Sequence, residues 1–315
     1  MARRDLRQVG RAAKRQDGKR FCCRLVVLIA VLPPCRLAVL AHAQDPRVAL
    51  LAADRAASDT AARRGLAAAF ERFGAERFVY LHPGAPIVLR REGTLRLLQS
   101  IPTLLSVDLQ WAPLHAETSG DGSFGVTFGV TVSRDRAAGA PEASLRFGNY
   151  LSAWRWESGR WYLLALAQVG GTLPAATGGA PDHSASGVIT PAAEPFAEAD
   201  RRFAAMAGRD GAPPAFEMFA AGDAVTFPGG GELARGPAAI RASLERGRGA
   251  SWAWHPIAGD AASDGTLGFT VGVAEIRRTQ PDGIPATTRS KYLSLWRRQP
   301  DGTVRFLADG GSARP

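Results

Sequence analysis

Apolar and polar positions along this chain change rhythm, from helical to alternating, and then do so again. From residue 194, Phe196, Asp200, Phe203 and Ala207 fall on one helical stripe. Gly208 to Gly211 interrupts it, and Phe216 and Phe219 mark a short second helix. A strand pair is predicted around AVTF and GELAR, then a helix over 236–247 opened by Gly236-Pro237. Four β-rich segments follow, at 252–259, 266–277, 288–298 and 303–309. Asp264-Gly265, Asp282-Gly283 and Asp301-Gly302 are hairpin signals between them. Helices first and an antiparallel meander after predict an α+β domain with helices on one sheet face.

The same order of elements stands in residues 46–169, and many identities recur with it. LAADRAAS (51–58) corresponds to AEADRRFA (197–204), and AAFERF (68–73) to AFEMFA (215–220). Trp111-Ala-Pro113 corresponds to Trp254-His-Pro256, and DGSFGVTFGV (121–130) to DGTLGFTVGV (264–273). YLSAWRW (150–156) returns as YLSLWRR (292–298). A unit of about 120 residues has been duplicated. The reading gives one domain at 46–169, a Gly/Pro/Ala-rich linker at 170–193 and a second domain at 194–312. In the repeated strand, Tyr292, Ser294 and Trp296 lie on one face and Leu293 and Leu295 on the other. Both faces are apolar, so helices are expected on one and the other copy, or another molecule, on the second.

Charge changes the picture by where it sits. The chain of 315 residues carries +10, but residues 1–43 hold ten Lys or Arg against two acids. The rest is near neutral, which removes the main argument for nucleic-acid binding. The basic start, the apolar run LVVLIAVL and Ala41-His42-Ala43 read as an export signal at 1–43, giving a periplasmic or extracellular protein. Pro33-Pro34-Cys35-Arg36 interrupts its apolar core, so a wrong start codon or a retained anchor stays open. All three cysteines (Cys22, Cys23, Cys35) lie in that segment, and no later stretch is long and apolar enough to span a membrane.

These residues resemble the SnoaL-like branch of the nuclear-transport-factor-two-like, or cystatin-like, superfamily, the curved-sheet cone shared with ketosteroid isomerase and scytalone dehydratase. The resemblance rests on the ADR helix, the W-x-P strand, the DGxxGxTxG hairpin and the YLSxWRRxxDG strand and turn, and it covers nearly all of the chain after residue 46. It implies two tandem cone-shaped α+β domains, each with N-terminal helices packed on a curved antiparallel sheet. Members often associate through their sheets, so the resemblance also implies domain 1 against domain 2 as an intramolecular pseudo-dimer. Activity does not follow from fold.

Candidate chemistry gathers in the second copy. Asp200 sits on an apolar stripe, where an acid is either paired or has a raised pKa; Asp54 holds the same place in copy one. Asp223, aligned with Phe78, and Asp309, aligned near Leu166, are acids of copy two alone. Turn-capping is the bland role for both. With Trp254 and Tyr292 they outline a candidate pocket for a small apolar ligand, although strand aromatics usually fill cores. Copy one offers Tyr80, His82 and His115, while Lys291, the only lysine after residue 44, aligns with Asn149. Histidine spacing suggests no metal, and phosphate-loop, dinucleotide and serine-hydrolase motifs are missing, so no cofactor is expected. The leading expectation is an exported, non-catalytic or ligand-binding protein. Its rivals are an isomerase- or dehydratase-type enzyme, with Asp200 or Asp223 as base and Tyr292 as hydrogen-bond donor to an oxyanion, and a protein-interaction module.

Overall fold

A computed structural model describes residues 45–83, 85–101, 107–135, 145–170, 187–228, 233–247, 249–280 and 282–313. Residues 1–43, read above as an export signal, and most of the linker lie outside the described residues. The first half runs α1 (Pro46–Arg64), α2 (Leu66–Phe73), β1 (Gly74–Leu81), β2 (Val88–Leu89), α3 (Arg91–Ser100), β3 (Val107–Thr118), β4 (Phe124–Asp135), β5 (Leu145–Glu157) and β6 (Arg160–Val169). The second repeats that order as α4 (Glu194–Asp210), α5 (Ala212–Phe219), β7 (Ala220–Thr226), β8 (Ala234–Arg235), α6 (Pro237–Leu244), β9 (Ser251–Ala261), β10 (Leu267–Thr279), β11 (Pro285–Arg298) and β12 (Val304–Ala313). Helix α4 runs through Gly208 and stops at Gly211, because its stripe of Phe196, Phe203 and Ala207 is buried along its whole length. Among the described residues no helix is long and apolar enough to cross a membrane.

Each half builds one six-stranded sheet, in the order β2-β1-β6-β5-β4-β3 and β8-β7-β12-β11-β10-β9. The long strands form the expected antiparallel meander. The first strand of each half also joins the last strand in parallel, β1 beside β6 and β7 beside β12. Bulges recur at matching places: Leu114 and Ile257 are the extra residues of β3 and β9, and Leu164 and Leu307 those of β6 and β12. A bulge bends its strand and increases twist. Two per sheet curl it around the helices into a cone.

Inside each cone stands a fully buried tryptophan, Trp154 or Trp296. Its indole N–H needs a partner there, and finds Ser152 Oγ at 2.7 Å in the first and Thr270 Oγ1 at 2.8 Å in the second.

The backs of the two sheets pack on each other. Leu151, Ala153 and Ala167 of the first share one apolar cluster with Leu293, Leu295 and Ala308 of the second. Each central strand meets its own counterpart, β4 against β10, β5 against β11 and β6 against β12. The polar rim is reciprocal too. Arg155 pairs with Asp260 at 2.8 Å and Arg297 with Glu117 at 3.0 Å. Glu117 and Asp260 hold the same register position, opposite Val126 and Phe269, so the contact is self-complementary in the way of a two-fold interface. At Gly310 the sheets approach so closely that a Cβ would lie 2.7 Å from Val169 and 2.9 Å from Leu151.

Candidate functional site

The helical stripe of α4 aims Asp200 at the sheet, beneath the open end of the second cone. One of its oxygens accepts the indole N–H of Trp254 at 2.8 Å, and the other accepts the hydroxyl of Tyr292 at 2.8 Å. Gly272 lies opposite Tyr292 across β10 and β11, and any side chain there would collide with the phenol ring. The first cone builds the same triad, with Asp54 accepting from Trp111 at 2.6 Å and from Tyr150 at 2.6 Å. Burial pushes Asp200 up to about 6, against the lowering effect of its hydrogen bonds from Thr270, Trp254 and Tyr292; Asp54 is raised for the same reason. Both tyrosines are raised well above 10 by burial and by the neighbouring carboxylate. Among the described residues these acids are paired neither with Arg nor with backbone N–H groups: they tie helix to sheet through two aromatic donors and a threonine hydroxyl.

Above this triad the second cone is hollow. A partly open cavity of about 280 Å³ is lined by Trp252, Trp254, Phe216, Tyr292, Asp309 and Thr226, among others. Its wall follows from strand alternation. Trp254 pairs with Ala274 and Trp252 with Ile276, and Ser290 and Thr288 continue those rows on β11. Small residues beside large ones leave the space. Asp309 lies at its floor, opposite Ser294, whose hydroxyl donates to it. Burial raises Asp309 to about 7; the Ser294 hydrogen bond opposes that rise and the charge of Asp200 adds to it.

Four of the five candidate residues thus converge: Asp200, Trp254, Tyr292 and Asp309. Asp309 belongs to strand β12, not to a terminal turn. Asp223 does not join them. It lies outside the cavity, half-exposed, with Arg297 at 2.6 Å; partial burial raises its pKa, but the Arg297 hydrogen bond and charge hold it below the ordinary value. The reason is one residue of register. Val225 pairs with Ala308 as Val79 pairs with Ala165, which matches Asp223 to Arg77 and puts Ala224 where Phe78 stands. A single-residue slip turns a side chain to the other face. Trp252, Ile276 and Thr226 line the cavity without having stood out in the sequence; the SWAW alternation at 251–254 was the available signal.

The first cone fills the equivalent region with bulk. Phe78 and Tyr80 take the places of Ala224 and Thr226, and pack with Phe70 at 4.8 Å between ring centroids in each case. Leu166 takes the place of Asp309, as aligned. Lys291 matches Asn149 but projects from the back of β11 into the first half, where its ammonium donates to the Ala85 carbonyl. His115 stacks on Phe128 at 4.7 Å, near Glu117.

No protein-family model matches the chain, and the curated proteins searched give no match. Several solved structures are similar to part of it. A putative calcium/calmodulin-dependent protein kinase II association domain from Xanthomonas campestris is 19% identical over 42% of this chain and 97% of that one, with a TM-score of 0.36. A ketosteroid isomerase-like protein from Erwinia carotovora atroseptica is 16% identical over 40% and 98%, at 0.35. A protein from Novosphingobium aromaticivorans, described as NTF2-like with a cystatin-like fold, is 19% identical over 38% and 80%, at 0.33.

Proposed function

We propose that the second cone binds a small, flat, apolar molecule, with Asp309 as its one carboxyl anchor, in an exported protein whose halves act as an intramolecular dimer. The cavity carries this reading: its volume, its two indoles and the single carboxyl on a mostly apolar lining that Ser and Thr side chains interrupt. An engineered cavity of about 150 Å³ holds benzene, so about 280 Å³ suits two fused rings. Burying roughly 250 Å² of such a ligand is worth about 6 kcal/mol before the cost of association. The test is a titration of the full chain with naphthalene and 2-naphthol, followed by Trp fluorescence and melting temperature. Saturable quenching that Ala274→Phe abolishes supports the reading; no quenching by either compound counts against it.

One observation favours a second reading, proton transfer by an isomerase-type enzyme. A carboxyl titrating near neutrality and facing an apolar cavity is suited to act as a base. Tyr292 is not placed as the oxyanion donor, because its hydroxyl is already given to Asp200. Asp309-dependent exchange of deuterium into 2-tetralone, a ketone of matching size, separates catalysis from binding. The interaction-module reading has less support, since the centres of both sheet backs are already packed together. Export is tested by terminal sequencing of the protein recovered outside the cytoplasm, with cleavage before Gln44 as the expected result.

A further inference from the structure

Between the two halves, beside β1, lies another partly open cavity, of about 320 Å³. Val79, Leu89 and Leu164 of the first half and Ala258 and Phe269 of the second give it apolar walls. Arg77, Arg90 and Asp260 line it as well. Part of the space comes from Ala258, which lies opposite Val271 as His115 lies opposite Phe128. In the other half the imidazole of His115 fills that place, stacked on Phe128. Here a methyl group stands instead, and room is left.

One exchange unbalances the charges around this cavity. At the matching place in the other half, Arg297 bridges Asp223 and Glu117, at 2.6 and 3.0 Å. Here Arg77 stands for Asp223, and Arg155, the twin of Arg297, meets Asp260 at 2.8 Å. Arg77 shares that same acid at 3.6 Å. Asp260 also accepts from the Thr190 hydroxyl and the Ala261 N–H, at 2.9 Å each. Arg90 meets the exposed Glu76, again at 3.6 Å. Both 3.6 Å contacts are too long for hydrogen bonds, and among the described residues neither Arg77 nor Arg90 donates one. Three guanidiniums, of Arg77, Arg90 and Arg155, thus face two carboxylates, Asp260 and Glu76. Those of Arg77 and Arg90 keep their planar donor forks for another acceptor.

Arg90 is held, besides, in a costly backbone conformation. Leu89 pairs with Val79 as Arg235 pairs with Val225, so Arg90 matches Gly236. Both residues cap a helix, Arg90 at φ 75° and ψ 140° before α3, Gly236 at φ 81° and ψ 158° before α6. Glycine takes up that region freely, whereas a residue with a Cβ is strained there. An arginine kept where glycine would serve, at the wall of a cavity, points to a use for its guanidinium. We propose that this cavity binds a small carboxylate with an apolar body, its oxygens received by Arg77 and Arg90 and its body laid on Leu164 and Phe269. Planar guanidiniums match a carboxylate, and the apolar walls favour an organic anion over an inorganic one.

The experiment titrates the full chain calorimetrically with 3-phenylpropanoate, its neutral amide 3-phenylpropanamide, and sulfate. The same titrations are run on Arg77→Gln, Arg90→Gly and Ala274→Phe. The expected result is saturable, one-site binding of the carboxylate that weakens with added salt. Binding about tenfold weaker, or less, is expected for the amide, for sulfate and for each arginine variant. Arg90→Gly is expected to melt no lower than the wild type, because relieved strain offsets the freedom glycine adds to the unfolded chain. Its weaker binding is then not a failure to fold. No saturable binding of the carboxylate overturns the proposal, as does equal binding of the amide or of sulfate, or wild-type affinity in either arginine variant. Ala274→Phe fills only the second cone and should bind the carboxylate as the wild type does. Naphthalene binding should likewise survive in Arg90→Gly, so either reading can fail alone.

Discussion

Tyr292 donates its hydroxyl to Asp200 at 2.8 Å across 92 residues of chain, and Tyr150 does the same for Asp54 at 2.6 Å across 96. An acid that recurs in both copies with the same two aromatic donors is a structural device, whichever chamber stands above it. Replacing Asp200 by Ala leaves the Trp254 and Tyr292 donors unpaired, at an expected cost of about 2–4 kcal/mol. Asn keeps one acceptor and costs less. Asp54 variants are expected to follow the same order. Urea denaturation of the four single variants checks this, and Asn and Ala substitutions of equal effect would contradict it.

Asp309 gives a pH signature. Its carboxyl is raised from 3.8 to about 7, so the folded protein holds that proton more tightly than the unfolded chain does. Stability is then full below about pH 4, falls as pH rises towards 7, and is level above. Asp200, raised to about 6, adds a slope of the same sign. Asp309→Asn is expected to flatten the upper part of this slope and to remove the pH dependence of naphthalene binding, which in the wild type tightens as the carboxyl protonates. Melting curves from pH 4 to 8 decide it.

Gly272 is expected to resist every substitution. Even a methyl group there meets the Tyr292 ring and the His255 carbonyl. Gly272→Ala displaces the phenol from Asp200, costs about 1–3 kcal/mol as overpacking does, and alters ligand binding in the second cone while leaving the first untouched. The chemical shifts of Trp254 and Trp111 report on the two cones separately.

The sheet-to-sheet contact makes the halves one cooperative unit. Gly310→Val drives a side chain into Val169 and Leu151, and is expected to split one thermal transition into two. Arg297→Ala removes two ion pairs, to Glu117 and Asp223, that are only partly buried, and is expected to change stability by about 1 kcal/mol or less for each. A single unshifted transition in Gly310→Val would show that the halves do not depend on this contact.

Much of the fold was legible because it rests on local rhythm. The stripe of α4 placed Asp200, and the recurrence of YLSxWR showed that both faces of β5 and β11 are buried. The parallel closure of β1 on β6 left no local trace, since it joins strands separated by nearly a whole half. Asp223 was misplaced because the offset between the copies shifts in a turn, and one residue of error exchanges the two faces of a strand. Asp309 looked like a turn residue because it stands beside Gly310 and Gly311.

The reciprocal contact between Arg155–Asp260 and Arg297–Glu117 has the form of a homodimer interface, yet its partners are one molecule. Dilution therefore cannot separate them, and their stoichiometry is fixed at translation. Symmetry no longer binds them either, because a mutation at position 82 has no obligatory twin at 228. Two identical subunits must share every change; these two halves were free to diverge.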